Sequence, residues 1–179
     1  YGDKSAKGAY RSIGINRNDF MSLIQINDNR PDDIKAIQWL AFASNAFNVM
    51  VPFYADIETT PDYLSNTTGE VSTDNFYWSS RMIAAMADAS YKKSIFHIEH
   101  YQEHVLSKGH EIINRYDDMI QNETNTDRHL ALKHEANQAV ADMLKAATSD
   151  TLGKVLYELS NEMKKCLFQV GCLNFVRFN

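Results

Sequence analysis

All three prolines, Pro31, Pro52 and Pro61, fall in the first part of the chain, and none follows residue 61. Proline removes a helical hydrogen bond and its ring clashes with the preceding turn, so a long helix can form only where proline is missing. The sequence changes character accordingly near residue 75. Before that point Val, Ile, Phe and Tyr sit in short runs separated by turn residues; after it, apolar residues recur with a helical period. Strands first and helices second predict an α+β fold: antiparallel strands followed by about four α-helices. The expected boundaries are a β-strand block over 1–57, a polar loop over 58–75 and a helical region over 76–179, all within one domain or part of a larger one.

The strand block begins with RSIGINRNDFMSLIQI, residues 11–26. Ile13 and Ile15 alternate with Ser12, Gly14 and Asn16, NRND interrupts, and FMSLIQI follows, so two strands are expected. NDNRPDD, residues 27–33, is a loop by its Asn, Asp and Pro content. IKAIQWLAFA and FNVMVPFYA, joined through SNA, then predict an antiparallel hairpin. Their near-continuous apolar content implies cover on both faces of the sheet. Pro52 has no N–H to give to a ladder, which places it at a strand end, an edge or a bulge.

A short turn at PDYL precedes the helices. Thr73 or Asp74 is suited to cap a first helix over about 75–92. A second helix over about 95–121 would align Ile98, Tyr101, Val105, Ile112 and Tyr116, and NETNTD would end it. A third over about 127–147 carries Leu132, Ala136, Val140, Met143 and Leu144. A fourth would start near Asp150 and stop near Gly171, leaving CLNFVRFN as a last short strand.

Bulk chemistry narrows the function classes. The net charge of −5 argues against nucleic acid or an anionic membrane surface as a partner. No apolar run reaches the roughly 20 residues that cross a bilayer. Cys166 and Cys172 form no disulfide framework and no zinc knuckle, which suggests free thiols in a reducing, cytoplasmic setting. The opening YGDKSAKGAY has neither a signal-peptide core nor an initiator Met, so a chain starting inside a longer gene product is expected. The sequons at Asn66 and Asn122 are tripeptides that arise often by chance.

Few motifs carry chemistry. In HIEHYQEH, His97, His100 and His104 recur along one helical flank, and His100 to His104 spell the H-x-x-E-H of inverted zinc peptidases. Such a site needs a third protein ligand, with Glu158 and Glu162 as candidates. The favoured reading is instead a solvated boundary face, with no metal bound. Nucleophile elbows, phosphate loops and dinucleotide fingerprints are missing, so no cofactor is expected. The internal Met residues read as core filler. Arg11, Asn16, Arg17, Gln25 and Gln38 interrupt apolar strands. A buried amide or guanidinium is costly without partners, so these residues either tie strands together at the rim or serve a site. An arginine could brace a developing oxyanion there.

Across about residues 9–90 these pieces fall in a recognisable order. An R-x-I-x-x-x-R strand leads to a hydrophobic strand ending in Gln; RPD, QWLAF, VPFY, a TPDYL segment and an aromatic helix start follow. This order resembles the late region of the C69 dipeptidases, which are similar to N-terminal-nucleophile hydrolases with an αββα sandwich. The resemblance implies that the two apolar strands belong to a sheet layer, with a second layer above and helices below. It implies hydrolysis of amide bonds in small peptides by a cysteine that becomes the first residue of the mature chain and uses its own α-amino group as base. Tyr1 is not that cysteine, so the nucleophile is expected in a missing N-terminal segment of the same enzyme. The chain alone is then expected to be inactive. Arg11 or Arg17 would match a late-strand arginine near the nucleophile, and Asn16, Gln25 and Gln38 would be substrate-side candidates. Where the family tends to carry an acidic-Ser-His run, this chain has Phe20, Met21 and Ser22. An excised piece would expose an apolar sheet face and form a homo-oligomer, or hold a bound partner fragment, to hide it. The alternative is a non-catalytic binding or assembly module.

Overall fold

A computed structural model describes residues 18–168 of the chain, with side chains described through residue 163. The order is β1 (Phe20–Ile26), β2 (Ala36–Phe42), β3 (Val51–Tyr54), α1 (Asp62–Ser65), α2 (Phe76–Ala89), α3 (Tyr91–Asn122) and α4 (Asp127–Phe168). The strands form one antiparallel sheet in the order β1-β2-β3. The α+β class and the strand-then-helix order are as the sequence predicts. Residues 11–17, Gly171 and the expected last strand lie outside the described residues.

Register explains which strand residues meet the helices. Directly paired residues share a sheet face. Ile37, Trp39 and Ala41 are buried, and their partners include Tyr54 and Pro52 on β3 and Met21, Leu23 and Gln25 on β1. This face packs on α3. Pro52 lies so close that a Cβ on Gly109 of α3 would sit 2.8 Å from the Pro52 ring, Trp39 meets the His110 ring at 5.0 Å, and the Tyr54 hydroxyl reaches Asp117. β3 is an edge strand, and Pro52 shares the parity of Tyr54, whose N–H and C=O point away from β2. The missing Pro52 N–H therefore costs the ladder nothing.

The opposite face is covered unevenly. Val51 and Phe53 are buried, and Phe42 packs edge-on against Phe76 and Tyr77 of α2. On β1, however, Phe20, Ile24 and Ile26 are each more than half exposed, and so is Leu23 on the helix side. Among the described residues, the expected cover on both faces is present at β3, and β1 shows the exposed apolar face expected of a partial sheet. Among the described residues β1 is the far strand of the sheet, and its apolar row extends beyond the helices.

Three helix boundaries differ from those expected, each for a local reason. Asn75 caps α2, its Oδ1 accepting the Trp78 N–H at 2.9 Å, rather than Thr73 or Asp74. α3 begins directly after Ser90, whose hydroxyl donates to the Met86 carbonyl at 2.9 Å and closes α2. The expected third and fourth helices are one. α4 runs unbroken through Thr148, Ser149 and Asp150. Thr148 donates to the Leu144 carbonyl at 2.7 Å and Thr151 to the Ala147 carbonyl at 2.9 Å, so these hydroxyls bond back along the helix instead of ending it.

Candidate functional site

Of the strand residues singled out by sequence, Gln25 and Gln38 are described, whereas Arg11, Asn16 and Arg17 lie outside the described residues. The two amides do not converge. Gln25 pairs with Ile37 on the helix-facing side, and its Oε1 accepts the Trp39 indole N–H at 2.9 Å. Gln38 pairs with Ile24 on the opposite side and donates to the Ser22 hydroxyl at 3.1 Å. Each amide makes a cross-strand tie between β1 and β2.

The three histidines of the alternative metal reading, His97, His100 and His104, lie on one flank of α3. His97, His100 and His104 line a cavity of about 350 Å³ between α3 and α4, together with Tyr101, Thr151 and Lys154. Residues seven apart on a helix are about 10 Å apart along its axis, which separates His97 from His104, whereas His100 and His104 are one turn apart. His97 has Glu158 at 3.7 Å, while His100 stacks on Phe96. Asp150 in the same cavity is already paired with Lys154. Among the described residues, no three His, Cys, Asp or Glu side chains are placed to hold a metal.

The densest polar arrangement lies elsewhere, where the β1–β2 loop and the segment after β3 meet α3 and α4. Asn137 of α4, fully buried, binds the outer edge of β3 with both ends of its amide. Its Oδ1 accepts the Tyr54 N–H at 2.8 Å and its Nδ2 donates to the Tyr54 carbonyl at 3.0 Å. One turn earlier the largely buried Lys133 donates to the Asp33 carbonyl at 3.3 Å and to Asp56 Oδ2 at 3.2 Å. A further turn earlier His129 joins Asp33 to the Glu123 carbonyl. On α3, buried Asp117 accepts the Tyr54 hydroxyl at 2.8 Å and has Arg30 Nη2 2.6 Å from its other oxygen, which makes no hydrogen bond. Burial raises the Asp117 carboxyl above the usual range, against the opposing pull of Tyr54 and Arg30. Burial, then the Asp117 carboxylate, raises the Tyr54 phenol as well, so it stays a donor at any working pH.

The sequence reading missed Arg30, Asp117, His129, Lys133 and Asn137. A signal existed for three of them. Asp117 falls four residues after Ile113 in the buried stripe of α3, and Lys133 and Asn137 fall beside Leu132, Ala136 and Val140 in that of α4. Polar residues at core-facing helical positions call for partners on another element. RPDD contains two of those partners, Arg30 and Asp33, but its composition marks it only as a loop.

The sequence signature described as Peptidase family C69 matches residues 1–104. The chain is 38% identical over 162 residues to a probable dipeptidase A of Streptococcus pyogenes serotype M3 (strain SSI-1), covering 90% of this chain and 34% of that protein. It is 35% identical over 200 residues to a dipeptidase of Bifidobacterium longum (strain NCC 2705), covering 91% and 38%. It is 31% identical over 161 residues to dipeptidase A of Lactobacillus helveticus, covering 88% and 34%. The chain thus spans about a third of the length of the curated relatives it matches. With a C69 signature over more than half its length, set on an antiparallel sheet that leads into helices, this chain belongs to peptidase family C69.

Proposed function

We propose that this chain forms the later part of a cysteine-type dipeptidase that hydrolyses amide bonds of small peptides, and that it contributes sheet and helix layers rather than the nucleophile. The observation that carries this reading is the open half of the sheet. Phe20, Ile24 and Ile26 form one apolar row on β1, with Leu23 on the other side, each more than half exposed. Contiguous apolar surface of this kind marks an interface. In the proposed enzyme a second layer, built from the rest of the same polypeptide, covers it. The attacking group is a cysteine at the mature N-terminus, whose own α-amino group takes the thiol proton. Neither Cys166 nor Cys172 has a free α-amino group at its own backbone nitrogen. Arg11 or Arg17 approaches that centre and stabilises the tetrahedral oxyanion. The working form in this reading is a homo-oligomer, with exposed Phe96 on α3 and Leu156 and Tyr157 on α4 as candidate contacts.

The test is dipeptide hydrolysis by the full-length protein, read as free amine released. Replacing the first cysteine of the mature enzyme by alanine should abolish turnover, and Arg11→Met or Arg17→Met should lower kcat. Ile24→Glu should leave little correctly assembled enzyme. Undiminished hydrolysis in the cysteine variant would refute the nucleophile, and an Ile24→Glu enzyme of normal activity and stability would refute the covered face.

A further inference from the structure

We propose that His129 and Asp33 hold one proton between them, and that this proton latches the first turn of α4 to the β1–β2 loop. The inference is independent of the hydrolase reading. His129 Nε2 lies 3.0 Å from the Glu123 backbone carbonyl, and Nδ1 lies 2.5 Å from Asp33 Oδ2. A carbonyl oxygen only accepts, so Nε2 must carry a hydrogen. A neutral imidazole then has a bare lone pair at Nδ1, facing a carboxylate that also only accepts. The observed contact needs one proton more than a neutral histidine and an ionised aspartate possess. With that proton in place, Nδ1–H donates to Asp33, and both bonds are satisfied at once. When the proton leaves for solvent, two acceptors face each other and the contact must open.

The surroundings fit a latch. His129 is mostly covered, with 16% of its side chain exposed, and lines a cleft of about 600 Å³. From the β1–β2 loop, Asp33 faces it, with Asp32 lining the cleft and paired to Lys35. From the segment after β3 come Asp56 and Glu58, and from its own helix Lys133, which holds the Asp33 carbonyl and Asp56. Glu123, at the end of α3, supplies the carbonyl and pairs with Arg128. The carboxylates outnumber the nearby cations around the cleft, which favours the added proton. Consistently, the Glu123 carbonyl first and Asp33 second raise the His129 imidazole above its ordinary value. A raised histidine stabilises the fold fully below its unfolded value, near 6.5, and that contribution fades as pH climbs through the higher folded value. The latch is therefore closed while the ring holds its added proton and slackens as pH climbs through the raised folded value.

The experiment is a pH titration of the full-length protein labelled with carbon-13 at histidine Cε1, the His129 signal being assigned by its loss in His129→Gln. It is paired with amide exchange of the β1–β2 loop, expressed as protection factors. In the wild type, His129 should titrate above the ordinary histidine value, and protection at Arg30 and Ile34, whose N–H groups bond within this loop, should fall roughly tenfold through that titration, the effect of losing one charge-assisted hydrogen bond. The decisive variant is Asp33→Asn. Its amide can donate to the bare Nδ1 while Nε2–H still serves Glu123, so a neutral ring satisfies both contacts. His129 should then titrate lower than in the wild type, and loop protection should stop depending on pH. A wild-type His129 that titrates at or below the ordinary value, an unchanged midpoint in Asp33→Asn, or loop protection indifferent to the titration would each overturn the proposal.

Discussion

Replacing Asn137 by alanine would strip the outer edge of β3 of its partner. Tyr54 directs its N–H and C=O away from β2, because in an antiparallel ladder successive residues point to alternate sides. Both groups are met by the single Asn137 amide, at 2.8 and 3.0 Å, in a place with no access to water. In Asn137→Ala each is left buried and unpaired. An unsatisfied buried group costs about 1–3 kcal/mol, so the pair predicts a loss of about 2–6 kcal/mol, toward the upper half because the cavity left by the amide is enclosed. That is a large share of the roughly 5–15 kcal/mol by which a domain is stable. Asn137→Asp is the control. It is nearly isosteric and can still accept the Tyr54 N–H, but it sets a second acceptor against the Tyr54 carbonyl and buries a charge. It should therefore be at least as damaging as alanine near neutral pH and recover in acid, where a protonated carboxyl can donate. The assay is chemical denaturation of the purified protein at two pH values, with the denaturant slope compared to confirm that the same surface unfolds. A loss below about 1 kcal/mol in Asn137→Ala, or an Asp variant indifferent to pH, would refute the account of the amide as the clasp of this edge.

The other expectations are simpler. Gly109→Ala would gain about 1 kcal/mol of helix propensity, but the new Cβ would press on the Pro52 ring at 2.8 Å, so net destabilisation of about 1–2 kcal/mol is expected by thermal unfolding. Arg30→Met leaves Asp117 buried without its counter-ion, and should cost more than Asp117→Asn, which keeps an acceptor for Tyr54 and leaves Arg30, 23% exposed, free to reach water. Because burial raises Asp117, its ionisation works against the fold. That burden is absent in acid and appears as pH rises from the unfolded carboxyl value through the folded one, so Arg30→Met should be least harmful at low pH, as denaturation midpoints across pH would record. Thr148→Val should cost about 1–3 kcal/mol by the same measure, since it leaves the buried Tyr101 hydroxyl without the partner it has at 2.8 Å.

Periodicity revealed much of the architecture, and the reasons are local. The Ile98, Tyr101, Val105, Ile112 stripe faces inward as its spacing requires, whereas IQWLAF, whose near-continuous apolar content predicts cover on both faces, alternates between buried and half-buried residues. Boundaries were less legible. The Thr148-Ser149-Asp150 run looks like a break because those residues favour caps, yet two threonine hydroxyls turn inward and Tyr101 from α3 meets one of them. Whether β1 is covered could not be read from FMSLIQI at all. Its apolar content is set by what the strand packs against, and the helices described here stop short of it. The polar cluster was illegible for another reason. Arg30 and Asp117, or Asp33 and His129, are far apart in sequence, and their partnership exists only once the loop has folded over α3 and α4.

The helices do more than shield the sheet, and α4 makes the point. His129, Lys133 and Asn137 follow one another at intervals of four, so they rise along one flank of the helix, a turn apart. They meet three successive pieces of the strand block: the β1–β2 loop through Asp33, the segment after β3 through Asp56, and the β3 edge through Tyr54. A helix face composed only of leucine and valine could slide against a sheet, since apolar contact is nearly indifferent to small shifts. Three directional contacts at fixed spacing fix rotation and rise together. Arg30 adds the converse tie, from the loop to α3 through Asp117. The ends of the strands are thereby held from the helix side, and the half of the sheet that carries Phe20, Ile24 and Ile26 is presented in a defined position. The polar flank of α4 thus fixes where that exposed row stands relative to the helices.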